Sequence, residues 1–291
     1  METKVLETLK VQCPSGLVGE VRGLKVGEIL LMQDPKLLRQ GKVFNQLVAS
    51  CWVTTLDPGP YHFDPSQPPP WTTMLHCDKM IVLREIRAST GGSDYEFEMR
   101  CSSCDHRYVW VQPLRDLKTQ PLPPATIQHV RNRQNFFVNL SSGRVEFRQL
   151  LNADDEQLVR LTRDGYPPAT AGFLCRILQV QTPDELVLSD LPEIDVWLKA
   201  LDPIDFDALE DAMDATDGGL DLRTQAECPK CSTQEAVIVP LLQSISRHSI
   251  RRSSQIAKAK MDQTPAAGSK STTKTPTPNL PTDNSGLTSS V

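Results

Sequence analysis

The chain has 291 residues, 39% of them apolar and 23% charged, with a formal net charge of −5. That is enough for one large domain or two ordinary ones with a buried core, and the negative balance argues against a protein that coats nucleic acid through its global field. No apolar run approaches the roughly 18 residues of a membrane span, and Glu2 and Glu7 stand where a secretory signal needs a basic start and an apolar stretch. The chain is therefore expected to stay in the cytosol with its cysteines reduced.

From the amino terminus, residues 19–52 read as helical. Ile29, Leu30, Leu31 and Met32, then Leu37, Leu38, Val43, Leu47 and Val48, recur at spacings near 3.6. Asp34-Pro35 fits a helix start, with the aspartate as cap and the proline in the first turn. Prolines 58, 60, 65, 68, 69 and 70 mark a long turn-rich loop. Asp78 is a candidate cap for a helix through Met80, Ile81, Leu83 and Ile86, ending near Gly91-Gly92. Period-two alternation then takes over at Tyr95–Met99, meets Cys101-Ser-Ser-Cys104, and resumes at Tyr108–Val111. A hairpin is predicted at Phe136–Leu140 and Arg144–Phe147, a short helix at Asp154–Arg163, and an apolar segment at Leu174–Val180. Two acidic helices follow at Leu191–Leu201 and Pro203–Asp214, stopped by Gly218-Gly219. The strand–turn–strand plan then recurs around Cys228-Pro-Lys-Cys231. Beyond Arg247 the chain is rich in Ser, Thr and Pro, and its composition predicts disorder.

The expected fold is α+β. It has an N-terminal helical region (1–92), a first cysteine knuckle (93–112), an insertion with a hairpin and acidic helices (113–221), a second knuckle (222–245) and a disordered tail (246–291). Eight cysteines stand at 13, 51, 77, 101, 104, 175, 228 and 231. The four lone ones read as small buried hydrophobes. The two pairs have the spacing of a zinc ribbon, in which each C-x-x-C turn aims two thiolates at one point. Cys101, Cys104, Cys228 and Cys231 are the expected ligands of one structural Zn²⁺. Closing the long loop between the pairs costs on the order of 4 kcal/mol, against about 10–16 kcal/mol that structural zinc returns in apparent terms. A redox C-x-x-C wants a helix after its first cysteine, and neither pair precedes one. Four cysteines would leave no open position for catalysis. His106 is a weaker substitute ligand, reading instead as an exposed turn residue.

The stretch 184–221 holds thirteen Asp or Glu against one cation, Lys199. It lacks the ligand pattern of an EF-hand loop and reads as a solvated helical face, with Asp205, Asp207 and Asp211 available to a basic partner. The chain contains no nucleophile elbow, phosphate loop or H-E-x-x-H, so a non-enzymatic role without a small-molecule substrate is expected.

Several strings are familiar as an ordered set: Arg22-Gly-Leu-Lys25, Ala49-Ser-Cys-Trp52, Leu56-Asp-Pro-Gly-Pro-Tyr61, Asp78 to Arg87, Tyr95-Glu-Phe97, both cysteine pairs, Leu209-Glu-Asp-Ala212 and Asp217-Gly-Gly219. Over about residues 13–243 their order resembles the baseplate hub assembly chaperones of T4-type contractile-tailed phages and prophages. The resemblance implies a non-enzymatic role in building the baseplate hub, with hub or tail proteins as partners. It also implies action in the bacterial host cytoplasm during tail assembly, with retention in the virion left open. Ser232, where a glycine often follows the second knuckle, and the long tail depart from the family pattern. The competing class is a zinc-ribbon nucleic-acid or transcription adaptor, for which Arg100, Arg107, Tyr108 and Trp110 would form the face. Glu96, Glu98, Asp105 and Glu227 interleave with them and disfavour nucleic acid.

Overall fold

A computed structural model describes residues 8–245; the tail predicted at 246–291 lies outside the described residues. The described residues open with sheet, not helix. Strands β1 (Thr8–Gln12) and β2 (Val18–Arg22) pair antiparallel, and β2 pairs again with β3 (Trp52–Asp57) after three short helices, α1 (Val26–Leu31), α2 (Pro35–Arg39) and α3 (Val43–Cys51). The helical reading of residues 19–22 is thereby corrected. Val18, Val21 and Leu24 mimic a helical spacing, but Gly19 and Val21 are the inward positions of a strand. A Cβ on Gly19 would fall 2.1 Å from the Trp52 ring, so only glycine lets β2 reach β3 here. Asp34 caps α2 as predicted, its carboxylate accepting from the Lys36 and Leu37 backbone N–H groups.

Helix α4 (His76–Gly91) runs through the first core, with Ile81, Val82, Leu83 and Ile86 fully buried among Leu17, Val21, Leu47 and Val48. It starts two residues before Asp78, which is not its cap. The buried Asp78 carboxylate instead accepts from the Ser15 N–H and hydroxyl and from the Tyr61 hydroxyl, at 3.1, 2.5 and 2.6 Å, tying α4 to the β1–β2 turn and the proline-rich loop. Gly92, at φ +88°, ends α4 where the sequence indicated.

Strands β4 (Asp94–Arg100) and β5 (Arg107–Pro113) form the first antiparallel hairpin. The chain then leaves through a two-residue strand, β6 (Thr119–Gln120), into α5 (Pro124–Asn132), β7 (Phe136–Leu140), β8 (Gly143–Phe147), α6 (Asp155–Arg163), α7 (Pro168–Arg176), β9 (Ile177–Gln181), β10 (Val187–Leu188), α8 (Leu191–Lys199) and α9 (Pro203–Asp214). Here β10-β9-β8-β7 make an antiparallel sheet whose Val145, Phe147 and Val180 pack on Leu161, Leu174, Trp197, Leu209 and Met213. The apolar segment 174–180 is half helix and half strand, since α7 ends at Arg176.

The insertion returns beside its point of departure. Strand β11 (Gly219–Leu220) pairs with β6, and the Asp221 N–H donates to the Lys118 carbonyl. Strands β12 (Arg223–Glu227) and β13 (Gln234–Ile238) form the second hairpin, and α10 (Leu241–Ser244) follows. A small core of Tyr95, Leu114, Leu117, Val239 and Leu241 underlies both hairpins. No described helix is long and apolar enough to cross a membrane.

Candidate metal centre

Each cysteine pair sits in the turn of a hairpin, and the two turns are built alike. In the first, the Cys101 N–H donates to the His106 carbonyl and the Asp105 N–H to the Cys101 carbonyl. In the second, the Cys228 N–H donates to the Thr233 carbonyl and the Ser232 N–H to the Cys228 carbonyl. The fourth residue after the leading cysteine is left-handed in both, Asp105 at φ +61° and Ser232 at φ +56°. The turn thus needs a positive φ at this position, which explains the glycine expected there. Ser232 meets the requirement without glycine's freedom.

The two turns face each other. The Cys101 and Cys231 Sγ atoms are 3.6 Å apart, the Cys104 and Cys228 Sγ atoms 3.7 Å, and all four lie within 4.8 Å of one another. A tetrahedral four-thiolate site with metal–sulfur bonds near 2.3 Å has edges of about 3.8 Å. The four sulfurs predicted from spacing are therefore brought together at the separation a single thiophilic ion requires. Among the described residues this is the sole cluster of metal-ligating side chains. Cys101 and Cys228 are buried against Tyr108, with Met99 and Trp110 around them, while Cys231 is at the surface.

The thiols differ in acidity. The Thr233 hydroxyl, 3.2 Å away, and the Thr233 N–H draw Cys231 down to about 6. The Cys104 N–H favours the Cys101 thiolate, but burial and the neighbouring sulfurs outweigh it and push that thiol up to about 12. Four clustered sulfurs repel as thiolates, so full ionisation needs a cation among them, and an all-sulfur set of four leaves such an ion no open position.

One supporting residue was not legible in the sequence. Glu235 on β13 accepts from the Ser102 N–H and hydroxyl at 2.6 and 2.7 Å, and these bonds hold its carboxyl below the usual range. The second hairpin thus grips the first turn directly. Nothing in the spacing of a lone glutamate announces this partner, 133 residues away. The His106 ring lies outside the sulfur cluster and stacks over Tyr108; only its backbone helps build the turn. Of the four lone cysteines, 13, 51 and 175 are buried as expected and Cys77 is only half-buried; burial pushes all four thiols up, Cys51 to about 11 and Cys175 to about 12.

The acidic stretch is only partly a solvated face. Asp205 is 5% exposed, and its carboxylate takes the Ser141 N–H, the Ser141 hydroxyl and the Ser142 N–H, closing the β7–β8 turn. Asp195 receives Tyr166 and Lys199, and Asp217 receives a two-pronged bond from Arg176. Asp207, Glu210, Asp211 and Asp214 remain exposed on α9. Of the residues offered as a nucleic-acid face, Tyr108 is buried, Trp110 is half-buried and Arg100 pairs with Asp105. No protein-family model matches the chain, and no curated protein or solved structure matches it either.

Proposed function

We propose that the protein is a non-enzymatic assembly factor for the baseplate hub of a contractile phage tail, built on a zinc-ribbon-like clamp. The observation that supports it is the ordered motif set together with the convergence of both cysteine pairs at one point. Cys101, Cys104, Cys228 and Cys231 would hold one structural Zn²⁺, whose role is to fix the two hairpins and the root of the insertion. The insertion carries Asp207, Glu210, Asp211 and Asp214 on the exposed side of α9, a surface that gives steering and selectivity toward a basic partner more than raw affinity.

The test is co-expression with hub proteins encoded beside the gene, followed by pull-down at low and moderate salt. A hub protein should co-purify, and Asp207→Lys with Asp211→Lys should weaken its capture while metal content is unchanged. No co-purifying hub protein, or equal capture by the reversed variant, defeats this reading. Tight, salt-sensitive binding to duplex or single-stranded DNA would favour the adaptor class instead.

A further inference from the structure

The four sulfurs of the centre are unequally covered. Cys101 is 1% exposed and Cys228 0%, both against Tyr108 with Met99 and Trp110 around them. Cys104 is half-buried, and Cys231 alone of the four is exposed. The covering side chains all come from β4 and β5. One side of the cluster is thus walled by the first hairpin, and the Cys231 side faces water.

The two turns are held just as unevenly. The first is gripped from the opposite hairpin, because the Ser102 N–H and hydroxyl both donate to Glu235. Around Cys231, in contrast, Pro229, Lys230 and Ser232 are all exposed. The backbone bonds of this turn stay within its own hairpin, from the Cys228 N–H to the Thr233 carbonyl and from the Ser232 N–H to the Cys228 carbonyl. The Thr233 hydroxyl lies 3.2 Å from the Cys231 sulfur. When that sulfur is a thiolate the hydroxyl donates to it, and a hydrogen bond placed there competes with a cation for the same lone pairs.

We infer that Cys231 is the exchangeable ligand of the centre, the sulfur at which an incoming thiolate enters and a metal ion is loaded or surrendered before the hairpins open. Thr233 is the positioning residue that eases its departure. The exchange balances. A bond from the incoming thiolate to the ion forms as the bond to Cys231 breaks, the charge of the four-ligand set is unchanged, and Cys231 leaves as a thiolate received by the Thr233 hydroxyl and water. Cys101 and Cys228 offer no such edge, since an incoming group would first have to displace Tyr108, Met99 or Trp110. The inference rests on the metal reading of the four cysteines and not on the baseplate role.

The experiment uses full-length protein loaded with Zn²⁺, its content fixed by elemental analysis. Iodoacetamide is added in timed pulses, peptide mass mapping follows each cysteine, and pyridylazoresorcinol follows released zinc. Cys231 should be alkylated in step with zinc loss, about tenfold or more faster than Cys101 and Cys228. Glutathione should speed zinc transfer to the chelator; Thr233→Val should slow that transfer about threefold or more and Thr233→Ser restore it, with unchanged circular dichroism. Cys231→Ser should still bind zinc, more weakly, because water reaches the vacated position. Zinc-loaded protein in which Cys104 reacts first, in which all four ligands react together, or in which neither glutathione nor Thr233→Val alters the transfer rate overturns the inference while the metal reading stands. Protein that binds no zinc overturns both.

Discussion

Cys13 and Cys228 are both buried cysteines, yet their replacement should have unequal consequences. Cys13 fills space in the first core, whereas Cys228 is one of four sulfurs around a single point. Cys228→Ser should abolish stoichiometric metal binding and remove several kcal/mol from a stability of about 5–15 kcal/mol. Cys13→Ser should keep the metal, and elemental analysis beside thermal melts checks both. Asp155 is the second sensitive residue. Its carboxylate holds the buried Lys79 ammonium and the His76 ring, joining α4 to α6. Burial alone would raise its pKa, but the hydrogen bond from the His76 ring and the charge of Lys79 hold it lowered, while burial lowers those of Lys79 and His76. Asp155→Ala leaves an ammonium without its counter-charge, and denaturant unfolding should show a loss of about 3–5 kcal/mol. Ser232 supplies the third case. Because its backbone is left-handed, Ser232→Gly should keep or raise the melting temperature, and Ser232→Val should lower both it and metal affinity.

At the scale of elements, the β7–β8 hairpin and α9 behave as one unit through Asp205. The Ser142 and Ser141 hydrogen bonds hold its carboxyl down at about 2 against an ordinary 3.8. The folded pKa is the lower one, so the unfolded chain takes up the proton first as pH falls. The stabilisation is complete above about pH 4 and is lost between there and about pH 2. In Asp205→Asn that acid-side loss should be smaller than in the parent, and pH-dependent denaturation of the two proteins measures the difference. An equal acid loss in both would remove Asp205 from this role. The same geometry separates the acidic residues of α9 by task, with Asp205 closing a turn and Asp207 and Asp211 presenting charge to solvent. The period of α9 was readable from its sequence, but which carboxylate meets a serine turn 64 residues upstream depends on how the hairpin packs.

In the whole molecule the metal centre lies apart from the two large cores, neither of which contains a cysteine of the cluster. The roots of the insertion are also held by the β6–β11 pairing and the Lys118–Asp221 hydrogen bond. Backbone pairing therefore carries part of the closure cost of the long loop, leaving less for an ion at the four sulfurs to offset. Stripping the metal with a chelator should leave most helical signal in place and release the two hairpins, 94–113 and 223–238, to rapid hydrogen exchange. Collapse of the helical signal on chelation would show instead that the cores depend on the ion.

Elements with local signals were legible before any folding was known. Alternation marked both hairpins of the centre, two pairs of cysteines marked the four sulfurs that cluster, Asp34-Pro35 marked a helix start, and Gly92 marked a helix end. These depend on hydrogen bonds and side-chain periodicity within a few residues. That residues 18–22 are a strand became visible in the folded chain, because it rests on pairing with Trp52–Asp57 across three helices. The same holds for Asp78 as a buried acceptor, for the grip of Glu235 on Ser102, and for the meeting of residues 119–120 with 219–220. Each of these is a contact between segments far apart in the chain, where an isolated aspartate, glutamate or pair of residues carries no periodic mark of its partner.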